Sequence, residues 1–412
     1  MYNLHLSPEQ LEIRDTVRDF VTTEVRPVAI KSARLEAADR PLLTDLLDKA
    51  SQMGLRTLAL SEYLGGTGAD ALTSCIVMEE LAAGDPDIAA VLGETSALAH
   101  LLFDKSMNDA LRDRYLPAFL EDDRFHLAFA DHEPDGDAAL GVNYHRPVAV
   151  APAVKTTAVR SGNVFVVNGV KDCVGNAPVA KLFAVQVTTT GSDGVSTLLI
   201  PHDTPGLTVR ARDGRWFHGA CGEIVLADCR VPAENLLGLE GRSPLAGGLE
   251  ADGRGVPLAQ SLNVGIGRAA YEAALDYAGL RVQGGRRIVE HQAIGAKLAS
   301  IAVKLEVARA AVWQAAWASD HPEAVADRSL SDLPLQRVAR AYVAEAMLEA
   351  AKDAAECFGA MGVMKDMPLQ KYVHDARVCL HSDVSTDDER LRLAEQLAGF
   401  RRPVTPSVLA AE

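Results

Sequence analysis

Three long stretches in the last third of the chain constrain the fold most. Residues 258–282, 290–320 and 334–358 are rich in alanine and apolar residues at helical spacing, with little glycine inside. Helices of that length bury their apolar faces by packing side by side, so they predict an antiparallel bundle. Gly359, Gly362 and Pro368 punctuate the end of the last run. Residues 7 to about 122 also carry helical periodicity. Ser7 and Pro8 form an N-cap and first-turn pair, and Leu11, Ile13, Val17, Phe20 and Val21 follow at near-helical spacing. The stretches 72–83 and 88–103 resume the pattern after a glycine-rich break at 64–68.

Between these two parts the pattern changes to strands, over residues 126 to 245. Residues 156–160, a Ser161-Gly162-Asn163 turn and 164–167 read as a hairpin. Asn168-Gly169 reads as a second turn. Short apolar runs at 182–187, 196–200 and 207–209 add strands, whereas 138–153 is a long unpatterned loop of the kind that is usually functional. The order is therefore helices, strands, helices: an α+β chain with expected domains at 1–124, 125–245 and 246–412.

Composition narrows the function classes. A net charge of -15 disfavours nucleic acid, because phosphate binding needs clustered Lys and Arg. The first residues lack a charged and then apolar leader, and no apolar run reaches the roughly 18 residues that a bilayer span needs. The six cysteines are scattered without a C-x-x-C pair, which suggests reduced thiols in a cytoplasmic protein and offers no zinc motif.

Several segments, in order, resemble the acyl-CoA dehydrogenase family over essentially the whole chain. They are Glu62-Tyr63-Leu64-Gly65-Gly66-Thr67-Gly68, Met78-Glu79-Glu80-Leu81-Ala82, Asn168-Gly169-Val170-Lys171 and Val231-Pro232-Ala233-Glu234-Asn235-Leu236-Leu237-Gly238. Tyr277-Ala278-Gly279-Leu280-Arg281 with Gln283, His291-Gln292, Gly359-Ala360-Met361-Gly362 and Asp375-Ala376-Arg377 complete the series. The resemblance implies an N-terminal helical domain, a middle β-barrel or sheet domain and a C-terminal four-helix bundle, in a homodimer or homotetramer. It also implies FAD and the α,β-dehydrogenation of an acyl thioester: a carboxylate removes the α-proton while the β-hydride passes to the flavin. Neither the acyl group, its carrier nor the electron acceptor is implied.

Carried over by position, the resemblance nominates Asp383 as the base, eight residues after Asp375, and Arg254 at the substrate end. Arg281, Gln283 and Gln292 match residues that reach the FAD of a neighbouring subunit. His132, Cys173, Gly175, Glu356, Ala360, Ser385 and Asp387 fall at other cofactor-facing positions. The departures are specific. Asp383 is one methylene shorter than the expected Glu, and a base misplaced by about 1 Å loses roughly 100-fold; it reads equally as a helix N-cap. Cys173 stands where a flavin-packing ring is expected, Gly175 where a hydroxyl is, His132 where a threonine is, and Gly284 where an aromatic platform is. Glu356 brings a negative charge toward a pyrophosphate. Glu250 and Asp252 are further candidate acids, or a solvated helix start.

Three functions compete. The first is a flavin dehydrogenase of an unusual acyl thioester. The second is a non-catalytic or half-site subunit of a hetero-oligomer. The third is different flavin chemistry on the same fold, such as nitroalkane oxidation or oxygen-using monooxygenation.

Overall fold

The computed structural model describes residues 5–35, 40–134, 154–192, 194–211, 217–250, 252–330, 333–381 and 386–399. The N-terminal capping signal is real: Ser7 accepts from the Gln10 amide while the Gln10 side chain accepts from the Ser7 amide, and this box opens α1 (Pro8–Phe20). Helices α2 (Arg26–Ala29), α3 (Thr44–Gln52), α4 (Ala71–Gly84), α5 (Pro86–Ala99) and α6 (Asp109–Glu121) follow. Asp70 caps α4 through the Thr73 amide, and Asp85 caps α5 through the amides of Asp87 and Ile88.

Helix α4 is buried along its whole length, which its two acids would forbid if they were unpaired. Both are paired. Glu79 holds Arg309 and Arg268, and Glu80 holds Arg268 and Arg18. The Met78-to-Ala82 signature is thus a joint between the N-terminal helices and the C-terminal ones.

The middle of the chain is one sheet. Its strands are β1 (His126–Ala130), β2 (Thr157–Ser161), β3 (Val164–Gly175), β4 (Ala180–Thr189), β5 (Val195–Pro201), β6 (Leu207–Ala211), β7 (Cys221–Pro232) and β8 (Leu236–Leu237). They run in the order β6-β7-β3-β2-β4-β5-β8, with β1 pairing β4 in parallel. The β2–β3 hairpin turns at Gly162, where φ is 63°. Asn168-Gly169, in contrast, is not a turn: β3 runs straight through it. The register against β7 shifts there, and Asn168 bonds Asp228 across the ladder, so the turn-favouring pair is absorbed as a bulge.

Helices α7 (Gly255–Leu280), α8 (Gln292–Asp320), α9 (Pro322–Ala326), α10 (Leu335–Cys357), α11 (Leu369–His381) and α12 (Thr386–Leu397) form the last part. A short hairpin, β9 (Val282–Gln283) and β10 (Arg286–Arg287), joins α7 to α8. Helices α7, α8, α10 and α11 share one apolar core with α1, α4 and α5. Gly265 lets α7 approach α4 closely: a Cβ there would lie 2.5 Å from the Glu79 carbonyl oxygen. Among the described residues no helix is long and apolar enough to cross a membrane.

Candidate active site

The site begins where the segment after β1 crosses the end of β3. Glu133 accepts from the amides of Lys155 and Thr156, from the Thr156 hydroxyl at 2.6 Å and from Lys171 Nζ at 2.8 Å. Lys171 is fully buried, and this pairing is what its burial requires. Four donors hold the Glu133 carboxyl down at about 2, against the desolvation that opposes them. The same crossing aligns His132 with Asp172: the Asp172 amide donates to the His132 carbonyl, and the two side chains meet at 2.5 Å. Cys173 follows in the left-handed region at φ 50°, inside a second bulge of β3. Its sulfur, a His132 nitrogen and an Asp172 oxygen all lie within 4.8 Å of one another. Spacing in the sequence does not predict that group, because it is assembled from β3 and the segment after β1.

Three residues further on, Asn176 pins the end of β3. Its amide donates to the Val91 carbonyl, the Thr95 hydroxyl and the Leu127 carbonyl. This presses Gly175 against α5, beside Glu94. A Cβ built on Gly175 would lie 2.1 Å from Glu94 Oε2, so the carboxyl occupies the space that a side chain at 175 would need. Glu94 also lines a cavity of about 320 Å³ between α4, α5 and α7, otherwise walled by Met78, Ala90, Leu258, Ala259 and Leu262. Burial pushes the Glu94 carboxyl up to about 8; the Phe129 main chain opposes this, nearby Asp131 adds to it, and no cation among the described residues offsets it. The reading of the sequence missed this residue. The available signal was a lone acid in the middle of an otherwise uncharged stretch of a buried helix.

The other acids of this region are engaged. Glu250 shares the cavity wall but pairs with Arg340. Asp252 accepts from the Arg254 amide and pairs with Lys105 at 3.3 Å. Arg254 lines a smaller adjoining hollow and pairs with Asp320 at 2.6 Å. Asp383 and Ser385 lie outside the described residues, as does the loop 138–153. Asp387 sits exposed in the first turn of α12 and bonds Arg390 at 3.3 Å.

A second, larger cavity of about 790 Å³ lies at the β9–β10 hairpin. It gathers Arg281, Gln283, Glu356 and Ala360, with Gln292 at the first position of α8 beside the lining residue His291. Tyr277 stacks on Phe358 at 4.1 Å, giving this cavity an aromatic wall although Gly284 has no ring. The negative charge of Glu356 is countered by Lys297, which pairs with it. An exposed Arg with two amide side chains suits a pyrophosphate or ribose, so these residues fit the polar half of a dinucleotide. The β3 end fits less closely: Cys173 and Gly175 present neither ring nor hydroxyl, and Glu94 fills the gap at 175.

The chain matches the acyl-CoA dehydrogenase N-terminal domain over residues 7–123, the middle domain over 149–229 and the C-terminal domain over 256–383. A probable acyl-CoA dehydrogenase of Bacillus subtilis (strain 168) is 30% identical, covering 96% of this chain and 99% of its own. The chain belongs to the acyl-CoA dehydrogenase family. Another acyl-CoA dehydrogenase of that organism is 29% identical over 96% of this chain and 100% of its own. The crystal structure of glutaryl-CoA dehydrogenase from Mycobacterium smegmatis superposes with a TM-score of 0.77 at 25% identity, covering 96% of this chain and 95% of that one. The expected succession of helical, sheet and helical domains is the family fold.

Proposed function

We propose that this acyl-CoA dehydrogenase family member carries out the flavin-dependent α,β-dehydrogenation of an acyl thioester. The observation that carries the reading is the cavity between α4, α5 and α7, lined mostly by apolar residues, in which the Glu94 carboxyl lies beside the terminus of β3. An acyl chain is matched by the aliphatic walls, and a carboxyl made more basic by burial is matched to a weakly acidic α-proton. FAD, when bound, would take up the β-hydrogen as hydride. Arg281, Gln283 and Gln292 would hold its polar half, with Lys297 keeping Glu356 from repelling it. Leu280 and Val282, 81% and 59% exposed, flank that cavity; a second copy of the chain packed there would cover them and complete the cofactor site.

The test is product analysis. The purified protein is incubated with saturated acyl-CoA thioesters of graded length and an artificial electron-accepting dye. The reading expects a 2-enoyl thioester two hydrogens lighter, formed in step with dye reduction. No enoyl product from any thioester, with FAD bound, refutes it. A second reading, a half-site subunit, is favoured by the ring-less β3 end at Cys173 and Gly175. It expects a colourless protein that gains flavin only when mixed with a different chain.

A further inference from the structure

The acids around the acyl cavity differ in one respect that decides their chemistry. Glu250 is neutralised by Arg340, and Asp252 by Lys105. On α4, Glu79 and Glu80 are bound by Arg309 and Arg268, and at the start of α7 Arg254 is taken by Asp320. Across the sheet, Lys171 is taken by Glu133. The remaining charge near Glu94 is Asp131, which is itself raised by burial. Among the described residues, Glu94 alone combines a place in the cavity wall, contact with the end of β3 and no ion pair.

We propose that Glu94 is the catalytic base that takes the α-proton of the acyl group. This rests on the acyl-thioester reading above. The α-C–H bond breaks, its proton forms an O–H bond on Glu94, and the electron pair stays on the substrate as the thioester enolate. A bound oxidised flavin would supply the acceptor for the β-hydrogen, lost as hydride, that balances the oxidation. A carboxyl held near 8 is a strong base once ionised, and mostly protonated at neutral pH. Its activity therefore rises with pH, about tenfold per unit, and levels off above about 8.

The experiment separates proton removal from redox chemistry. Phenylacetyl-CoA has α-hydrogens but no β-hydrogen to lose as hydride. Its α-proton exchange with D2O, catalysed by the full chain and read by mass spectrometry, therefore needs no flavin turnover. The wild-type protein is expected to exchange with that pH profile, and Glu94→Gln to lose at least about 100-fold. Glu94→Ala is expected to regain exchange on adding formate, which a merely misfolded variant would not do. Asp383→Asn is expected to keep exchanging. No exchange by the wild-type protein, undiminished exchange in Glu94→Gln, or loss in Asp383→Asn with Glu94→Gln intact overturns the proposal. Exchange that depends on Glu94 without any enoyl product from saturated thioesters upholds it while refuting the dehydrogenase reading.

Discussion

Replacing Gly175 with alanine puts a methyl where Glu94 already lies. The added carbon falls 2.1 Å from Oε2 and 2.8 Å from Cδ and Oε1, against 3.4 Å for ordinary contact. The carboxyl must move by about 1.3 Å; as the far end of a flexible side chain it yields more easily than a packed core, so the cost falls in the lower part of the about 1–3 kcal/mol that overpacking takes. The backbone at 175 is not left-handed, so the substitution otherwise gains about 0.4–1 kcal/mol by restricting the unfolded chain. In a Glu94→Ala background the obstacle is gone and only the gain remains. The two changes should therefore couple by that same amount, with Gly175→Ala destabilising alone and neutral or stabilising in the double variant. Urea midpoints of the four proteins, compared at equal m, measure this. Additivity within about 0.5 kcal/mol would show that Glu94 and Gly175 are not in contact, and would remove the geometric basis of the assigned base.

Other outcomes follow from the same geometry. Lys171→Met strands the Glu133 carboxylate without its cation and should cost about 3–5 kcal/mol in urea unfolding. On acidification two groups should withdraw stability, against a gain from Glu94, whose raised carboxyl favours the folded chain increasingly as pH falls from about 8 toward about 4.3. His126 is buried, and burial with nearby Arg56 holds its ring down to about 4, so the unfolded chain takes up a proton first as pH drops below about 6.5. His126→Gln should remove that loss, so the difference in urea midpoint between variant and wild-type protein should change between about 6.5 and 4 and be constant above about 7.5. Glu133, held down to about 2, keeps its full contribution above its unfolded value near 4.3 and loses it only as pH falls toward 2. Arg281→Ala should weaken FAD binding by about ten- to a hundredfold, read by fluorescence titration, without changing the urea midpoint, because the side chain is exposed at the hairpin.

The segments that made the family legible in the sequence are mostly structural joints, and that is why they could be read. Glu79 and Glu80 tie α4 to α1, α7 and α8; Lys171 ties β3 to Glu133; Asn235 bonds the Leu199 carbonyl and Arg114; Asp375 is buried against Lys371 and Arg40. Each places a polar residue at a point where burial tolerates only one partner type, so the residue type and its position carry the information. Helix spans were legible for the related reason that apolar periodicity and caps are local. The Asn168-Gly169 turn was misread because local turn chemistry also suits a bulge, and pairing with β7 decides between them. The chemistry was less legible. Nothing local says that Glu94 faces Gly175, since α5 and β3 are distant in sequence and are held together by Asn176, just past the end of β3. Likewise Glu250 and Arg254 looked available until their partners Arg340 and Asp320 came from α10 and α8.

The most direct test of the central claim is the visible absorbance of the flavin-loaded protein, mixed without oxygen with a saturated acyl-CoA. The account predicts that the oxidised flavin band bleaches as the thioester is added, with one equivalent of enoyl thioester formed per flavin. A protein that holds FAD and binds the thioester, yet keeps its oxidised spectrum unchanged, would contradict it.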